Sequence, residues 1–301
     1  MAITGEFVSL GSVKATVTIG VPADSVGRGG GAERAPATLR GLGLPAALGA
    51  RDAGDLAVRI RGEERDPATG LLAAGDVLAS TTTIRGAVAA ALDAGERPFL
   101  VGGCCAELPG ALAGARDALG APPGLAHLDG HLDLYDGETS TTGEAADMPI
   151  SVALGLGPTA WVEAAGGPAA EPRRTALVGF RDRAESIADG MRRPEDLPHP
   201  PHLLGADELR ARGVATAATD LAALLATGPF WLHLDVDVLD QDVFPATDYL
   251  QPDGLDWDEL ATILTPLAAS DSLIGASLAC YNPDKDPGLE CGRRLVTALA
   301  D

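Results

Sequence analysis

The stretch Phe230-Trp-Leu-His-Leu-Asp-Val-Asp237 is an apolar run that ends in acidic residues. Such a run is typical of a strand buried on both faces, as in a parallel sheet covered by helices. Five further strand candidates alternate along the chain with helical stretches rich in Ala and Leu. The alternation predicts right-handed βαβ crossovers and the α/β fold class, as a three-layer α/β/α sandwich with a mostly parallel sheet.

The predicted elements follow one another without a break in composition. The predicted strands are Thr16–Ile19, Pro98–Val101, Leu125–Asp129, Thr175–Phe180, Phe230–Asp235 and Leu273–Cys280. The predicted helices are Pro36–Gly41, Ser80–Ala94, Ala106–Leu119, Met148–Leu154, Ala206–Arg212, Thr219–Ala226, Trp257–Ala269 and Leu289–Leu299. Two segments rich in Gly or Pro, Asp24–Glu33 and Arg192–His202, are predicted loops. Because neither accompanies a lasting change in composition, residues 1–301 are predicted to form one domain.

Charge and composition exclude several classes of protein. The 301 residues include 22 Lys and Arg against 43 Asp and Glu, a formal net charge of −21. Binders of nucleic acid or of anionic membranes need clustered basic residues, so neither partner is expected. Four cysteines are too few for a disulfide scaffold, and the chain shows no secretion signal and no apolar run of roughly 18 residues. We therefore expect a cytoplasmic protein with a largely acidic surface.

The segments that end two of the predicted strands combine histidine with aspartate. In His127-Leu-Asp-Gly-His-Leu-Asp133, alternation places every second residue from 127 to 133 on one side of an extended chain. In the opening stretch, His233, Asp235 and Asp237 share a face in the same way. Carboxylates beside a buried strand are costly unless they are paired or bind metal. Two such strand ends in one sheet predict a site for one or two divalent cations.

A third strand is followed by the turn Gly102-Gly-Cys-Cys-Ala106 and a helix. Glycines allow a tight turn, and a thiolate at a helix N-terminus is a potential metal ligand. Free cysteines are more often small packing residues, which is the role favoured for Cys104, while the role of Cys105 stays open. His127 and His233 are expected to be buried partners of the nearby acids or core residues.

The glycine-rich segment Gly27-Arg-Gly-Gly-Gly-Ala32 superficially matches a dinucleotide-binding fingerprint. That fingerprint starts directly after a strand and is followed by an acidic residue at the end of a second strand, roughly 20 residues on. Neither condition holds here. We therefore predict a loop near the mouth of an active site.

In order and spacing, these motifs resemble those of the ureohydrolases, the family of arginase and agmatinase. The family carries a Gly-Gly-Asp-His-Ser turn, an Asp-Ala-His-x-Asp strand end and a Ser-x-Asp-x-Asp-x-x-Asp-Pro segment. The corresponding stretches here are Gly102-Gly-Cys-Cys-Ala106, Asp129-Gly-His-Leu-Asp133 and His233-Leu-Asp-Val-Asp-Val-Leu-Asp240-Gln. Because Phe244-Pro-Ala-Thr247 and Tyr281-Asn-Pro283 also fall in the family's order, the resemblance covers most of the chain.

The resemblance implies an arginase-like catalytic domain that holds two Mn²⁺ ions. Asp129 and Asp235 would bridge both ions, and Asp133 would bind the first ion and handle a proton. His131 and Asp237 would bind the second ion. A hydroxide bridging the two metals would attack the planar carbon of an amidine or guanidine. The catalytic residues implied in this way are Asp133 and His131.

Three departures from the family's motifs bear on metal and substrate. Cys105 stands where the family has its first-site histidine, so the first metal site is expected to be weak, to prefer Zn²⁺ or to be empty. Cys280 stands where the family has the Glu that clamps a guanidinium, and a thiol is a poor substitute for that carboxylate. The proton-shuttling histidine of arginase falls near Ala146, between Glu144 and Asp147. Cys280, Glu144 and Asp147 are the predicted substrate contacts.

These residues leave three functions open. The first is a hydrolase that cleaves a non-peptide C–N bond in a linear amidine, formimino compound, hydroxyguanidine or amide. The second is a metal-binding relative without turnover, with a regulatory or structural role. The third is an ordinary arginase or agmatinase that releases urea. As an enzyme, the protein would take a small-molecule substrate, and the resemblance further implies a homo-oligomer, either a trimer or a hexamer.

Overall fold

The computed structural model describes residues 15–300, and there the predicted three-layer α/β/α sandwich is confirmed. The eight strands of the sheet are β1 (Val17–Val21), β2 (Arg51–Asp55), β3 (Pro98–Gly102), β4 (Gly124–Leu128), β5 (Thr175–Val178), β6 (His202–Leu204), β7 (Phe230–Asp235) and β8 (Leu273–Ala279). Their order is β2-β1-β3-β8-β7-β4-β5-β6, and every neighbouring pair is parallel. The predicted single domain also includes residues 1–14 and 301, which lie outside the described residues.

Helices cover both faces of the sheet. Within residues 15–300 they are α1 (Ala35–Gly41), α2 (Leu44–Ala47), α3 (Ala74–Asp93), α4 (Leu108–Leu119), α5 (Pro149–Ala153), α6 (Thr159–Ala164), α7 (Arg183–Ala188), α8 (Ala206–Arg212), α9 (Val214–Leu225), α10 (Trp257–Ala268) and α11 (Glu290–Ala300). One hydrophobic cluster lies under α3 to α7, and a second lies under α1, α2 and α8 to α11. Among these described helices, none combines the length and apolar character needed to cross a bilayer.

The two strands that the sequence did not predict are the two edges of the sheet. Among the described strands β2 pairs only with β1, and most of its residues are exposed, so it lacks the apolar run of a buried strand. β6 is three residues long, and within residues 15–300 it pairs only with β5. It begins at His202, so the predicted loop at 192–202 is corrected at its last residue. The six predicted strands are the six inner ones, since only those are buried on both faces.

The four central strands β3, β8, β7 and β4 lie side by side and run in one direction. Their carboxyl ends therefore meet at the same edge of the sheet. Cys105 comes shortly after β3, Asp129 follows β4, Asp235 ends β7 and Cys280 follows β8. Carboxyl ends of neighbouring parallel strands are the usual place for a ligand site in an open α/β sheet.

The packing of β7 on β8 depends on a glycine beside a buried tryptophan. Gly275 pairs in register with Trp231, and a Cβ atom at position 275 would lie 2.3 Å from Trp231 Cζ3. We expect Gly275→Ala to lower the free energy of unfolding by about 1–3 kcal/mol, because the fully buried indole cannot move aside without strain. Urea unfolding measures this change.

Gly86→Ala is the matched control for Gly275→Ala. Gly86 is exposed in the middle of α3, and a Cβ atom there would meet nothing within 4 Å. Because alanine favours a helix interior over glycine, this variant is expected to gain up to about 1 kcal/mol. Equal unfolding midpoints for the two variants would contradict the packing argument.

Candidate metal centre

One cavity at the carboxyl edge of the sheet brings together all the residues predicted to bind metal. Those lining residues are Cys105, Asp129, His131, Asp133, Asp235 and Asp237. All of them are buried except His131, whose side chain is 24% exposed. Two predicted substrate contacts, Cys280 and Asp147, line the same cavity, whereas Glu144 is not among its described lining residues.

Asp129, His131 and Asp237 form one potential ligand group. His131 Nδ1 lies 3.4 Å from Asp129 Oδ1 and 3.2 Å from Asp237 Oδ2. The backbone N–H of Gly130 donates to Asp237 Oδ1 at 3.0 Å, which fixes that carboxylate. Burial opposes the charged forms of His131 and Asp237, but their mutual attraction is stronger. The carboxylates raise the pKa of His131 well above its ordinary value, and the imidazolium lowers the pKa of Asp237 to about 2. An imidazole and two carboxylates that converge in this way suit a divalent cation.

A second potential ligand group consists of His127, Asp129 and Asp133. His127 Nε2 lies 3.3 Å from Asp129 Oδ2 and 3.6 Å from Asp133 Oδ2. Asp133 Oδ2 and both ring nitrogens of His127 are buried without a hydrogen-bond partner among the described residues. Burial lowers the pKa of His127 to about 4, so the ring is neutral, the form that binds metals. Unsatisfied buried polar atoms are rare and costly. A cation here would satisfy the Asp133 oxygen and the one ring nitrogen of His127 that carries a lone pair.

The buried carboxylates also repel one another. Burial and repulsion from neighbouring carboxylates raise the pKa of Asp129, and they raise those of Asp133 and Asp235 well above the ordinary carboxyl value. Two divalent cations would offset the charge of Asp129, Asp133, Asp235 and Asp237. The donor atoms and the unsatisfied atoms therefore fit the two-metal centre that the resemblance implies.

Cys105, whose role the sequence leaves open, lies among these ligands. Its Sγ is 2.7 Å from Asp235 Oδ2 and 3.6 Å from Asp129 Oδ2. It is also 3.2 Å from His233 Nε2 and 3.8 Å from Cys280 Sγ. These contacts form two further potential ligand groups, Cys105 with Asp235 and Cys280, and Cys105 with Asp129 and His233. Its neighbour Cys104 also lines the cavity, and it packs in the hydrophobic cluster under α3 to α7.

His127 and His233 are fully buried beside the acids, as predicted. They are paired in register on β4 and β7, and their rings stack with centroids 5.2 Å apart. His233 Nδ1 is hydrogen-bonded to Ser277 Oγ at 2.7 Å, and the same oxygen accepts from Trp231 Nε1 at 2.9 Å. Burial lowers the pKa of His233 to about 3, so this ring is neutral as well. The Ser277 contact turns His233 Nε2 towards Cys105.

Asp24 and Asp248, which the sequence argument missed, lie at the cavity mouth. Asp24 accepts hydrogen bonds from the backbone N–H groups of Val26 and Gly30 at 3.2 and 3.0 Å. Asn282 Nδ2 donates to both oxygens of Asp248, and Lys285 Nζ lies 2.8 Å from Asp248 Oδ1. Two features of the sequence could have pointed to these acids. Asp24 begins the loop that was predicted near the mouth, and Asp248 directly follows the 244–247 motif.

Tyr249, also missed, connects the mouth to the metal ligands. Its ring meets that of His131 edge-on at 6.1 Å, and its hydroxyl donates to Glu144 Oε2 at 2.5 Å. Glu144 therefore supports the rim through Tyr249. Asp147, inside the cavity, accepts hydrogen bonds from the Ser140 and Thr142 hydroxyls. Of the two predicted loop acids, Asp147 thus lines the cavity and Glu144 contacts Tyr249.

Comparison with known proteins agrees with this fold. A family model described as the arginase family matches residues 14–300. The chain is 31% identical over 175 residues to the N(omega)-hydroxy-L-arginine amidinohydrolase of Streptomyces lavendulae. This match spans 58% of this chain and 56% of that relative, so it covers about half of the relative's length. An arginase of Brevibacillus brevis is 25% identical over 89% of this chain and 90% of its own length. The arginase structure from Bacillus caldovelox has the same fold, with a TM-score of 0.82 at 24% identity over 95% of this chain and 97% of that one. The chain belongs to the arginase family.

Proposed function

We propose that this chain hydrolyses a non-peptide C–N bond in a linear amidino or guanidino small molecule. The observation that carries the proposal is the convergence of four buried aspartates and His131 on one cavity at the carboxyl edge of the sheet. Family membership supports it, since the related proteins named above are amidinohydrolases or arginases. A homo-oligomeric state and a cytoplasmic location stay predictions.

The proposed centre holds two divalent cations, with Mn²⁺ at the position of Asp129, His131 and Asp237. When bound, a pair of cations lowers the pKa of a water molecule and so supplies a nucleophile at neutral pH. The protein orients its own ligands before any metal binds, because backbone N–H groups hold Asp129 and Asp237 in place. His131 N–H donates to Asp129 Oδ1 at 2.7 Å, and Gly130 N–H donates to Asp237 Oδ1 at 3.0 Å.

Asp133 is the residue proposed to move a proton. Its Oδ2 lies 3.6 Å from His127 Nε2 and accepts no hydrogen bond from the described residues. Burial and the Asp129 charge raise the pKa of the Asp133 carboxyl group in the absence of cations. The proposed role as a proton acceptor rests on its position among the potential ligands. His131 Nδ1 is directed at two carboxylates, so its proposed contribution is to hold the cation and the geometry.

The charge of the mouth favours a substrate with a cationic group away from the reacting carbon. Asp24, Asp147 and Asp248 line the cavity, and none of its described lining residues is Lys or Arg. At the reacting end, Cys280 replaces a carboxylate, so a strongly basic guanidinium would lack a counter-charge. N-hydroxylation makes a guanidine less basic, and the Streptomyces lavendulae relative is named for such a substrate. We propose a hydroxyguanidino or similarly weakly basic amidino group as the reacting group.

A substrate panel tests the proposed function. The full chain, loaded with Mn²⁺, Zn²⁺ or both, is incubated with hydroxyguanidino, guanidino, amidino and formimino compounds that also carry a free amine. We expect the weakly basic compound to turn over at least about 10-fold faster than its guanidino analogue. A ratio of this size corresponds to the free energy of one favourable contact between opposite charges. Release of hydroxyurea, urea or ammonia is measured.

Chelator-treated protein and Asp133→Asn serve as controls for the panel, and both are expected to lose turnover. Faster hydrolysis of the plain guanidino compound would reject the role given to Cys280. If no compound turns over while both cations stay bound, the protein is instead the metal-binding relative without turnover.

A further inference from the structure

We propose that Cys105 and Cys280 are an oxidative modification site, at which a peroxide that enters the cavity joins the two sulfurs in a reversible disulfide bridge. The bridge would withdraw the sulfur of Cys105 from the first metal position. The inference rests on the proposed function, because it concerns regulation of the same two-cation centre.

The two sulfur atoms are close enough to bond after a small movement. Cys105 Sγ and Cys280 Sγ are 3.8 Å apart, and both cysteines are free thiols. A disulfide bond is about 2.05 Å long, so the two sulfurs would approach each other by roughly 1.7 Å. Cys105 and Cys280 come after β3 and β8, which are neighbouring parallel strands. Such strands lie about 4.8 Å apart, so the turns at their ends begin at a separation that a disulfide can span.

The backbone at Cys280 has a conformation that residues with a side chain rarely adopt. Its φ is +67°, in the left-handed region. Residues held in this region cost of order 1–3 kcal/mol and occur mainly at active sites and switch regions. Cys280 directly follows β8, and the thiol that it presents there contacts Cys105 Sγ. The strained conformation thus accompanies the close approach of the two sulfurs.

A small oxidant can reach the pair from the cavity. Both cysteines line it, and Cys280 is partly exposed, whereas Cys105 is only 2% exposed. Hydrogen peroxide is little larger than water, so we expect it to react first with Cys280. Burial raises the pKa of the Cys105 thiol, which makes Cys105 a poor nucleophile towards peroxide and suits it to the second step.

The reaction has two steps that together consume one hydrogen peroxide. The Cys280 sulfur attacks one peroxide oxygen, the O–O bond breaks, and the departing hydroxyl takes the thiol proton to form water. This step leaves a sulfenic acid on Cys280. The Cys105 sulfur then attacks the Cys280 sulfur, the S–O bond breaks, and the hydroxyl leaves with the Cys105 proton as a second water. Two thiols are thereby oxidised by two electrons, and a reducing dithiol reverses the bridge by exchange.

The bridge is expected to change metal binding, because a thiolate is a metal ligand and a disulfide is a poor one. Cys105 belongs to two of the four potential ligand groups of the described residues, and Cys280 belongs to one of these two. The group of Asp129, His131 and Asp237 contains no cysteine. Oxidation should therefore weaken cation binding at the first position by at least about 10-fold and spare the second. Because such coupling is reciprocal, bound cations should also slow formation of the bridge.

Mass spectrometry of the full-length, metal-free protein tests the bridge without any substrate. Reduced protein treated with excess hydrogen peroxide should lose about 2 Da, the mass of two hydrogen atoms, and dithiothreitol should restore the mass. Digestion should join the peptide that contains Cys105 to the one that contains Cys280. Fragmentation of the joined peptides should place the bond at Cys105 and not at its neighbour Cys104.

Metal content measures the effect of the bridge on the centre. Protein loaded with Mn²⁺ and Zn²⁺ should form the bridge at least about 10-fold more slowly than metal-free protein. After complete oxidation and gel filtration, the loaded protein should retain one cation in place of two. Reduction with dithiothreitol and a second loading should restore the other.

Variants identify the reacting sulfurs. Cys280→Ser should stay reduced, whereas Cys105→Ser should stop at a sulfenic acid on Cys280, which dimedone traps. Cys104→Ser and Cys291→Ser are the matched controls and should form the bridge like wild type. The first removes the other thiol of the turn, and the second removes a partly exposed thiol on α11.

Wild-type protein that gains oxygen without a bridge, or that bridges Cys104 or Cys291, would overturn the assignment even if no variant folds. A bridge that leaves two cations bound with unchanged affinity would overturn its effect on the centre. Failure of this inference is distinguishable from failure of the proposed function. A bridge in a protein without turnover on the panel rejects only the hydrolase proposal, and turnover in a protein whose thiols resist peroxide rejects only the bridge.

Discussion

Asp129→Asn is expected to release the divalent cations and to abolish turnover. Asp129 belongs to three of the four potential ligand groups, so its loss weakens both metal positions. An amide keeps the size of the side chain and removes its charge. Because even the loss of a residue behind a ligand costs 10–100-fold in metal affinity, loss of this shared ligand should lower Mn²⁺ affinity by more than about 100-fold. Metal content after gel filtration and Mn²⁺ titration calorimetry measure the effect.

The same variant should not be destabilised when metal is absent. Burial and the Asp237 charge raise the pKa of Asp129 in the folded protein, so at neutral pH its ionised form opposes folding. Asparagine removes that charge, and chelator-treated Asp129→Asn should be at least as stable to urea as chelator-treated wild type. This result would separate loss of metal from loss of fold.

Asp286→Asn is the matched control for Asp129→Asn. Asp286 is also a buried acid, but it accepts hydrogen bonds from Tyr281 Oη at 2.8 Å and Gly292 N–H at 2.9 Å and belongs to no potential ligand group. We expect it to lose stability and to keep both cations. Retention of two cations with unchanged affinity in Asp129→Asn would refute the shared-ligand role.

The interior of this fold could be predicted because its signals are local. A strand covered on both faces must be apolar along its length, and the six inner strands all show this run. Acids at the carboxyl ends of such strands, as at Asp129 and Asp235, are informative because parallel strands bring these ends together. The two edge strands were not predicted, because exposed strands need no apolar run in their sequence. They are defined by their pairing with the neighbouring strand.

The parts of the site that could not be predicted depend on distances between strands. The contact of His233 with Cys105 follows from β3, β8 and β7 lying side by side, and its contact with Ser277 follows from the register of β7 against β8. Neither order nor register is encoded near position 233. Asp24 and Asp248 belong to loops that are far apart in sequence and are joined by Asn282, which donates both to Asp248 and to the carbonyl of Gly30.

Glu107 is a buried acid that differs from the acids of the metal centre, since no described residue forms a hydrogen bond or ion pair with its carboxyl group. It lies two residues after Cys105, is 2% exposed, and neither of its carboxyl oxygens has a hydrogen-bond partner. Its surroundings are mostly apolar and include Val21, Ile60 and Val77, with Ser80 as the polar neighbour. Burial raises the pKa of Glu107 well above its ordinary value of 4.5. The folded protein therefore keeps this carboxyl group protonated at pH values where the unfolded chain ionises it.

Glu107→Gln should consequently stabilise the protein by an amount that grows with pH. Below pH 4.5 the glutamic acid is neutral in both states, and the variant and wild type should be nearly equal in stability. Above that pH unfolding releases the Glu107 proton, so wild type should lose about 1.4 kcal/mol per pH unit relative to the variant until the folded pKa is reached. Urea unfolding from pH 4 to pH 8, with Mn²⁺ and with chelator, measures the difference.

Glu138→Gln, an exposed change of the same chemistry, is the control and should stay within about 0.5 kcal/mol of wild type at every pH. A constant difference between Glu107→Gln and wild type across the range would mean that Glu107 ionises equally in both states. In that case a cation or an ordered water must reach its carboxylate. If the difference instead grows with pH in chelator and vanishes with Mn²⁺, the charge of Glu107 is coupled to the metal centre two residues away.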